Sequence, residues 1–300
     1  MATTEAISSR YRGLDSWSGE DILAAFSDGQ EQAVGAVRTA HRAIVSAAEA
    51  IAARSGAAGR LIYVGAGSSG LIAALDGMEL GGTFGWPDER VALVLANGLM
   101  LRPGIAGGAE DDAARARQEI GRLNVRSEDS IIAVAASGST PFTVAAAEAA
   151  RAAGALTVAI VNNAGSQLAA VVDFPIIVET GAEVIVGSTR MNAGTAQKAV
   201  LNMLSTLTMI RLGAIYDGMM VDLRVENEKL EKRARATIMH IAGCSENEAA
   251  AALARTGKSV KPAVLVALGL DPAEARRRLA AGKGNLRLAL QGLRLGEEVR

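Results

Sequence analysis

Apolar residues recur along this chain in two rhythms. Short runs such as Leu61-Ile62-Tyr63-Val64, Ile131-Ile132-Ala133-Val134-Ala135 and Leu156-Thr157-Val158-Ala159-Ile160-Val161 are bounded by small or polar residues. Runs of this length, rich in β-branched residues and without polar alternation, predict strands buried on both faces. They place strands at Leu61–Val64, Arg90–Ala96, Ser130–Ala135, Leu156–Val161 and Phe174–Glu179. Between them, apolar residues spaced for a helix predict helices over Leu71–Met78, Glu110–Leu123, Pro141–Ala153 and Thr195–Leu212, the last stopped by Gly213. Ahead of the first strand, Ser18-Gly19-Glu20-Asp21 caps a helix from about Ile22 to Arg54, with an interruption near Ser27-Asp28-Gly29. Residues 1 to 15 read as irregular. Alternating strands and helices with continuously apolar strands give an α/β fold, a parallel sheet sandwiched by helices.

The rhythm changes near the C-terminus. Residues 233–300 contain no strand run, and Gly243, Gly257, Gly269-Leu270-Asp271-Pro272 and Gly282 punctuate short Ala/Leu/Arg-rich segments. This predicts a small all-helical domain behind a larger one at 1–232, joined through about Gly218 to Lys232.

Composition narrows the function. Half of the 300 residues are hydrophobic but only 3% are aromatic, so the core is built from Ala, Val, Leu and Ile. Lys+Arg 31 against Asp+Glu 32 leaves a net charge of -1, with no basic excess for nucleic acid or an anionic membrane. The lone Cys244 rules out an intramolecular disulfide and fits a reducing cytoplasm. Met1-Ala2-Thr3-Thr4-Glu5 lacks the basic and apolar regions of a signal peptide, and no apolar stretch is long enough to span a bilayer. The expectation is a soluble cytoplasmic protein. With only His41, His240 and Cys244, there is little material for a Cys/His metal site or a Ser–His–Asp triad. No metal is expected.

Two loops carry the candidate chemistry. Gly65-Ala66-Gly67-Ser68-Ser69-Gly70 follows the first strand and opens a helix, an arrangement that aims backbone N–H groups and a positive dipole end at an anion. Ala136-Ser137-Gly138-Ser139-Thr140-Pro141 repeats that design after Ile131–Ala135. Gly67, Ser68 and Ser69 in one loop, with Ser137, Gly138, Ser139 and Thr140 in the other, suit a phosphate and the sugar attached to it. The first loop also satisfies G-x-G-x-x-G, the spacing of dinucleotide sites. Such a site expects an acidic residue at the end of the second strand, where this chain has Asn97-Gly98.

Three carboxylates stand out. Glu79 lies between Met78 and Leu80 just after the short helix; desolvation there would raise its pKa towards general-acid duty, while a solvent-facing helix end is the plainer reading. Glu110, in Gly107-Gly108-Ala109-Glu110-Asp111-Asp112, reads on local sequence as a first-turn acid satisfying a helix dipole. Glu183, in Gly181-Ala182-Glu183-Val184, invites the same caution. Finally, Ser188, Thr189, Arg190 and Lys198 gather hydroxyls and cations ahead of the long apolar helix, as a sugar-phosphate lid would need.

With these residues the chain resembles the N-acetylmuramic acid 6-phosphate etherases of the sugar-isomerase (SIS) superfamily. The resemblance runs through Leu61–Gly70, Ala106–Asp111, Ala135–Pro141, Gly187–Lys198 and Asn227-Glu228-Lys229-Leu230, and continues into the tail at Ala242-Gly243-Cys244-Ser245 and Ala267–Leu270. It implies an SIS-type sheet and a cofactor-free lyase that cleaves the ether between lactate and C3 of a phosphorylated amino sugar. It also implies a homodimer with sites near the subunit interface. By this resemblance Glu110 removes the C2 proton, while Glu79 protonates the departing lactate and assists the water. Members usually carry Arg where this chain has Leu71 and Ser139, Cys-Pro-Pro-Thr where it has Leu80-Gly81-Gly82-Thr83, and Asn with a later Ser or Thr where it has Ser8 and Tyr11. Two other functions fit the loops: a non-catalytic sugar-phosphate sensor, and an aldose–ketose isomerase using the same C2 proton abstraction.

Overall fold

A computed structural model describes residues 3–56, 58–98 and 107–293. Five strands form one parallel sheet: β1 (Leu61–Gly65), β2 (Val91–Leu95), β3 (Ser130–Ala135), β4 (Leu156–Val161) and β5 (Phe174–Ile177), in the order β2-β1-β3-β4-β5. β1 aligns Leu61 with Val91 on one side and with Ser130 on the other. Every residue of β1, β3 and β4 is buried, as continuous apolar runs require. β3 and β4 begin and end where the sequence predicts.

Helices cover the sheet. α1 (Gly19–Ala36) and α2 (His41–Ser55) precede it, and α3 (Gly67–Phe84) follows β1. α4 (Ala113–Arg122), α5 (Pro141–Ala152), the short α6 (Gln167–Val171) and the long α7 (Asn192–Arg211) complete this part of the chain. Ile62, Val64, Ile131, Ala133, Ala159 and Val161 pack with Phe142, Ala146 and Ala150 of α5 and Ile120 of α4. α2 lies against β3, β4 and β5. Alanine dominates the helix faces, which lets helix and sheet approach closely without aromatic bulk. At the strand starts, Asp129 ties β3 to β1: Arg60 donates from Nε at 3.1 Å and from its backbone N–H at 3.0 Å, and Arg126 N–H donates at 2.9 Å. Burial pushes the Asp129 carboxyl up, but Arg60 and these N–H groups outweigh it and hold it below the usual carboxylate range.

Several boundaries differ from expectation. The break in the N-terminal helix falls at a 3-10 turn, Val37–Ala40, and not near Gly29, which is buried mid-helix in α1. There a Cβ would lie 2.8 Å from Asn192 Oδ1, so this glycine serves close packing and not chain reversal. α3 is far longer than Leu71–Met78, because the glycines flanking that stretch are tolerated inside the helix. The opening residues, expected as irregular, form three 3-10 turns at Thr3–Glu5, Ser9–Tyr11 and Leu14–Ser16.

The chain divides into two compact units: residues 1–78 with 89–207, and residues 79–88 with 208–300. The second holds a hairpin of β6 (Ile215–Tyr216) and β7 (Met219–Met220), then α8 (Glu228–Ala242), α9 (Glu246–Arg255), α10 (Val260–Ala267), α11 (Pro272–Ala281) and α12 (Leu286–Ala289). Its core joins Ile238, Leu253, Val264 and Leu286 to Val221 and Leu223, so packing draws residues ahead of 233 into this unit. No described helix is long and apolar enough to cross a membrane.

Candidate active site

In a sheet ordered β2-β1-β3-β4-β5, the chain leaves β1 in one direction towards β2, while β3 lies on the other side. The carboxyl ends of β1 and β3 therefore flank the switch point, where open α/β sheets bind ligands. The two hydroxyl-rich loops follow these two strands. That coincidence marks the candidate site.

The first loop is short because its glycines let strand and helix nearly touch. A Cβ on Gly65 would lie 2.7 Å from the Cα of Gly70, so neither position accepts a side chain without movement. Gly67, with φ +53°, turns the chain into α3. Ser68 and Ser69 occupy the first turn of α3, half-buried, where backbone N–H groups lack helical partners and point outward.

Glu110 stands over this loop. Its Oε1 lies 3.0 Å from where a Cβ on Gly67 would be, so the missing side chain makes room for the carboxylate. The helix-dipole reading of Glu110 is corrected here. α4 begins at Ala113 and is capped by Asp112, whose side chain accepts the Arg115 N–H at 2.9 Å. Glu110 lies before it in a 3-10 turn, Gly107–Asp111, half-buried and directed to the first loop.

The second loop is held from below. Gly138, with φ +66°, leaves no room for a Cβ beside the buried Ser166 hydroxyl. Ser139 donates from its backbone N–H to Ser137 Oγ at 3.2 Å, and its hydroxyl also lies 3.1 Å from Ser137 Oγ. Thr140 is the residue before α5 and Pro141 its first residue.

The Gly187–Lys198 segment adjoins the first loop. A Cβ on Gly194 would lie 3.2 Å from Ile72 Cδ1 of α3 and 3.3 Å from the carbonyl of Thr189. Ser188 and Thr189 are half-buried in the turn before α7; Arg190 is exposed and Lys198 half-buried on the helix. Glu183, fully buried, accepts the N–H groups of Asn192 and Ala193 at 2.9 Å each and so closes the amino end of α7. Burial pushes its carboxyl up, the two N–H groups oppose this, and nearby Glu5 adds to it. The net shift is upward.

Glu79 is elsewhere. It lies within α3 and not after it, exposed, twelve residues beyond Gly67. At 1.5 Å per residue that is roughly 18 Å along the helix from Gly67. It shares an exposed stripe with Leu71 and Leu75, eight and four residues before it, and Met78 stands next to it.

Several buried polar groups around the site had no obvious sequence signal. Gln197 donates to Asn162 Oδ1 at 2.9 Å, and Asn162 donates to the Val178 carbonyl at 3.0 Å. Asp76 accepts the Tyr63 hydroxyl at 2.9 Å and the Ser205 hydroxyl at 3.1 Å inside α3's packed face. Each is an isolated amide or acid in an apolar stretch, and partners lie tens of residues away. Among the described residues no three His, Cys, Asp or Glu side chains gather as a metal ligand set.

Comparison with known proteins agrees with this geometry. Residues 112–207 match the SIS domain. Over 295 residues the chain is 45% identical to the N-acetylmuramic acid 6-phosphate etherase of Deinococcus radiodurans, covering 98% of this chain and 97% of that one. It is 39% identical to the protein of the same name from Cutibacterium acnes, covering 97% and 96%. Among solved structures, a candidate phosphosugar isomerase of Bacteroides fragilis superposes with a TM-score of 0.50 at 20% identity, over 71% of this chain and 96% of that one. That likeness concerns the fold.

Proposed function

The chain belongs to the N-acetylmuramic acid 6-phosphate etherases, and from that membership we infer that its site is a carbon–oxygen lyase site acting on a phosphorylated amino sugar. The substrate is N-acetylmuramic acid 6-phosphate, and the products are N-acetylglucosamine 6-phosphate and D-lactate. The observation that carries the chemistry is the Glu110 carboxylate over Gly67, at the head of the phosphate loop.

The roles follow from position. The first turn of α3, with Ser68 and Ser69, receives the 6-phosphate. Ser137, Gly138, Ser139 and Thr140 contact the sugar, and Ser188, Thr189, Arg190 and Lys198 close over it. Glu183 supports that wall by holding the start of α7 in place. In the ring-opened sugar, Glu110 takes the C2 proton, and the electron pair moves to expel lactate from C3. Glu79 protonates the departing oxygen. Water then adds at C3 of the unsaturated aldehyde, giving its proton to Glu79, and Glu110 returns a proton to C2. Both carboxyl groups end as they began, and the net change is addition of water.

Glu79 lies twelve residues, roughly 18 Å, along α3 from Gly67, over which Glu110 stands. We therefore infer that the Glu79 of a second copy faces Glu110, in a homodimer that covers the stripe of Leu71, Leu75 and Met78. These side chains are 45%, 42% and 59% exposed, an apolar face that water disfavours. The balanced charge and lone cysteine support a cytoplasmic setting.

Incubating the protein with N-acetylmuramic acid 6-phosphate and assaying D-lactate tests the reading. Lactate is expected from the wild type, with kcat lower by a factor of about 10²–10⁴ in Glu110→Gln, the usual effect of losing a general base. No lactate above the Glu110→Gln level would sink it. The sensor and isomerase readings are not favoured, since the relatives named above are etherases across nearly the whole chain.

A further inference from the structure

The turn Thr3–Glu5 is far from the phosphosugar loops in sequence but is bound directly beneath one of them. Asn163, buried just beyond β4, is the anchor. Its Oδ1 accepts the Thr3 N–H at 2.6 Å, the Thr3 hydroxyl at 2.8 Å and the Thr4 N–H at 3.4 Å. Its Nδ2 donates to Thr4 Oγ1 at 3.0 Å and to the carbonyl of Ala136 at 2.8 Å. Ala136 immediately precedes Ser137–Thr140. One amide side chain thus joins the N-terminal turn to the second hydroxyl-rich loop, and Thr4 is completely buried in the process.

That anchoring delivers a carboxylate. Glu5, the next residue, is exposed, and its Oε2 lies 3.0 Å from where a Cβ on Gly187 would be. Gly187 has φ +72° and opens the Ser188–Lys198 segment. Glu5 is close enough to Glu183 to add to the upward shift that burial gives that carboxyl. An exposed carboxylate standing between two proposed sugar-binding segments, on a turn that four hydrogen bonds to one side chain hold down, is costly to arrange for stability alone.

We propose that Asn163 is a positioning residue that straps the Thr3–Glu5 turn across the site, so that Glu5 accepts hydrogen bonds from the hydroxyl or amide groups of the sugar phosphate. Glu5 thereby selects a ligand rich in such donors. This rests on the etherase reading above, whose failure the experiment separates from its own.

The test compares wild type, Glu5→Gln, Asn163→Ala and the double variant. Lactate release gives kcat and KM, calorimetry gives Kd for N-acetylglucosamine 6-phosphate, and hydrogen exchange follows the amides of residues 4–6. Glu5→Gln is expected to raise KM and Kd about tenfold with kcat nearly unchanged, the loss of one hydrogen bond to a charged group. Asn163→Ala is expected to raise them as far and to speed exchange at residues 4–6. The double variant should be no worse than Asn163→Ala alone, a coupling that a purely structural role would not produce. Should Asn163→Ala not fold, Thr4→Val removes one of its bonds at constant shape and carries the same expectation on a smaller scale. Unchanged KM and Kd in Glu5→Gln, or a freed turn with unchanged binding, overturns the proposal. Wild type that binds the sugar phosphate but releases no lactate sinks the etherase reading alone, and the strap is then scored on Kd. Wild type that does not bind it sinks both.

Discussion

Gly67 and Glu110 are tied together, because the space one lacks is the space the other fills. Gly67→Ala forces a Cβ into the left-handed region, at about 1–2 kcal/mol, and sets it 3.0 Å from Glu110 Oε1. The expected outcome is a modest loss in thermal midpoint together with a disproportionate loss of kcat, since the proposed mechanism has Glu110 take the C2 proton. A kcat that falls no further than the stability predicts would separate Glu110 from the chemistry. Glu183 gives a pH test. Its carboxyl keeps a proton to higher pH in the folded chain than the usual 4.5 of an unfolded one. The stability this provides is complete below the usual value and is lost as pH rises through the raised one. Denaturant midpoints across that window should fall in the wild type, and the part of the fall due to this group should vanish in Glu183→Gln. The hydroxyls and glycines of both loops were legible from composition and spacing. Asn163 was not, because a single asparagine after a strand has no pattern until Thr3 and Ala136 are brought to it.

At the scale of elements, the strands were the most legible. β3 and β4 are buried on both faces, so a continuous apolar run is sufficient to define them. Helix ends were harder, because glycine is read as a stop although tertiary contacts can hold it inside a helix. α1 offers a contrast within one helix. Gly35 has nothing within 4 Å of a Cβ, so Gly35→Ala should stabilise by about 0.5–1 kcal/mol, the gain expected from helix propensity. Gly29→Ala has the same propensity gain but meets Asn192 at 2.8 Å, at the amino end of α7. It should destabilise instead, by about 1–3 kcal/mol for overpacking. Chemical denaturation of the two variants checks the opposite signs. If both stabilise, the α1–α7 approach is looser than described.

At the scale of the whole molecule, the unresolved demand is the apolar stripe on α3. Leu75 is 42% exposed and stands four residues before Glu79, on the same side of the helix. Leu75→Glu should convert a dimer into a monomer in analytical ultracentrifugation and abolish lactate release while the far-ultraviolet circular dichroism stays native. Mixing inactive Glu79→Gln with inactive Glu110→Gln should restore part of the activity, because mixed dimers contain one complete site. A monomeric wild type with full activity would contradict the shared site.

The sequence by itself determined the parallel α/β architecture, the helical tail, the two anion-suited loops and the family. All of these depend on local residue type and spacing: buried runs make strands, and a glycine-hydroxyl turn makes an anion cradle. Only the tertiary structure decided that Glu110 leaves α4 to stand over Gly67, that Glu79 is carried far along α3, and that the first residues return to Asn163. Those facts depend on which distant groups compete for the same space and the same hydrogen bonds. That competition is settled when the chain closes on itself, and no local window of the sequence contains both parties.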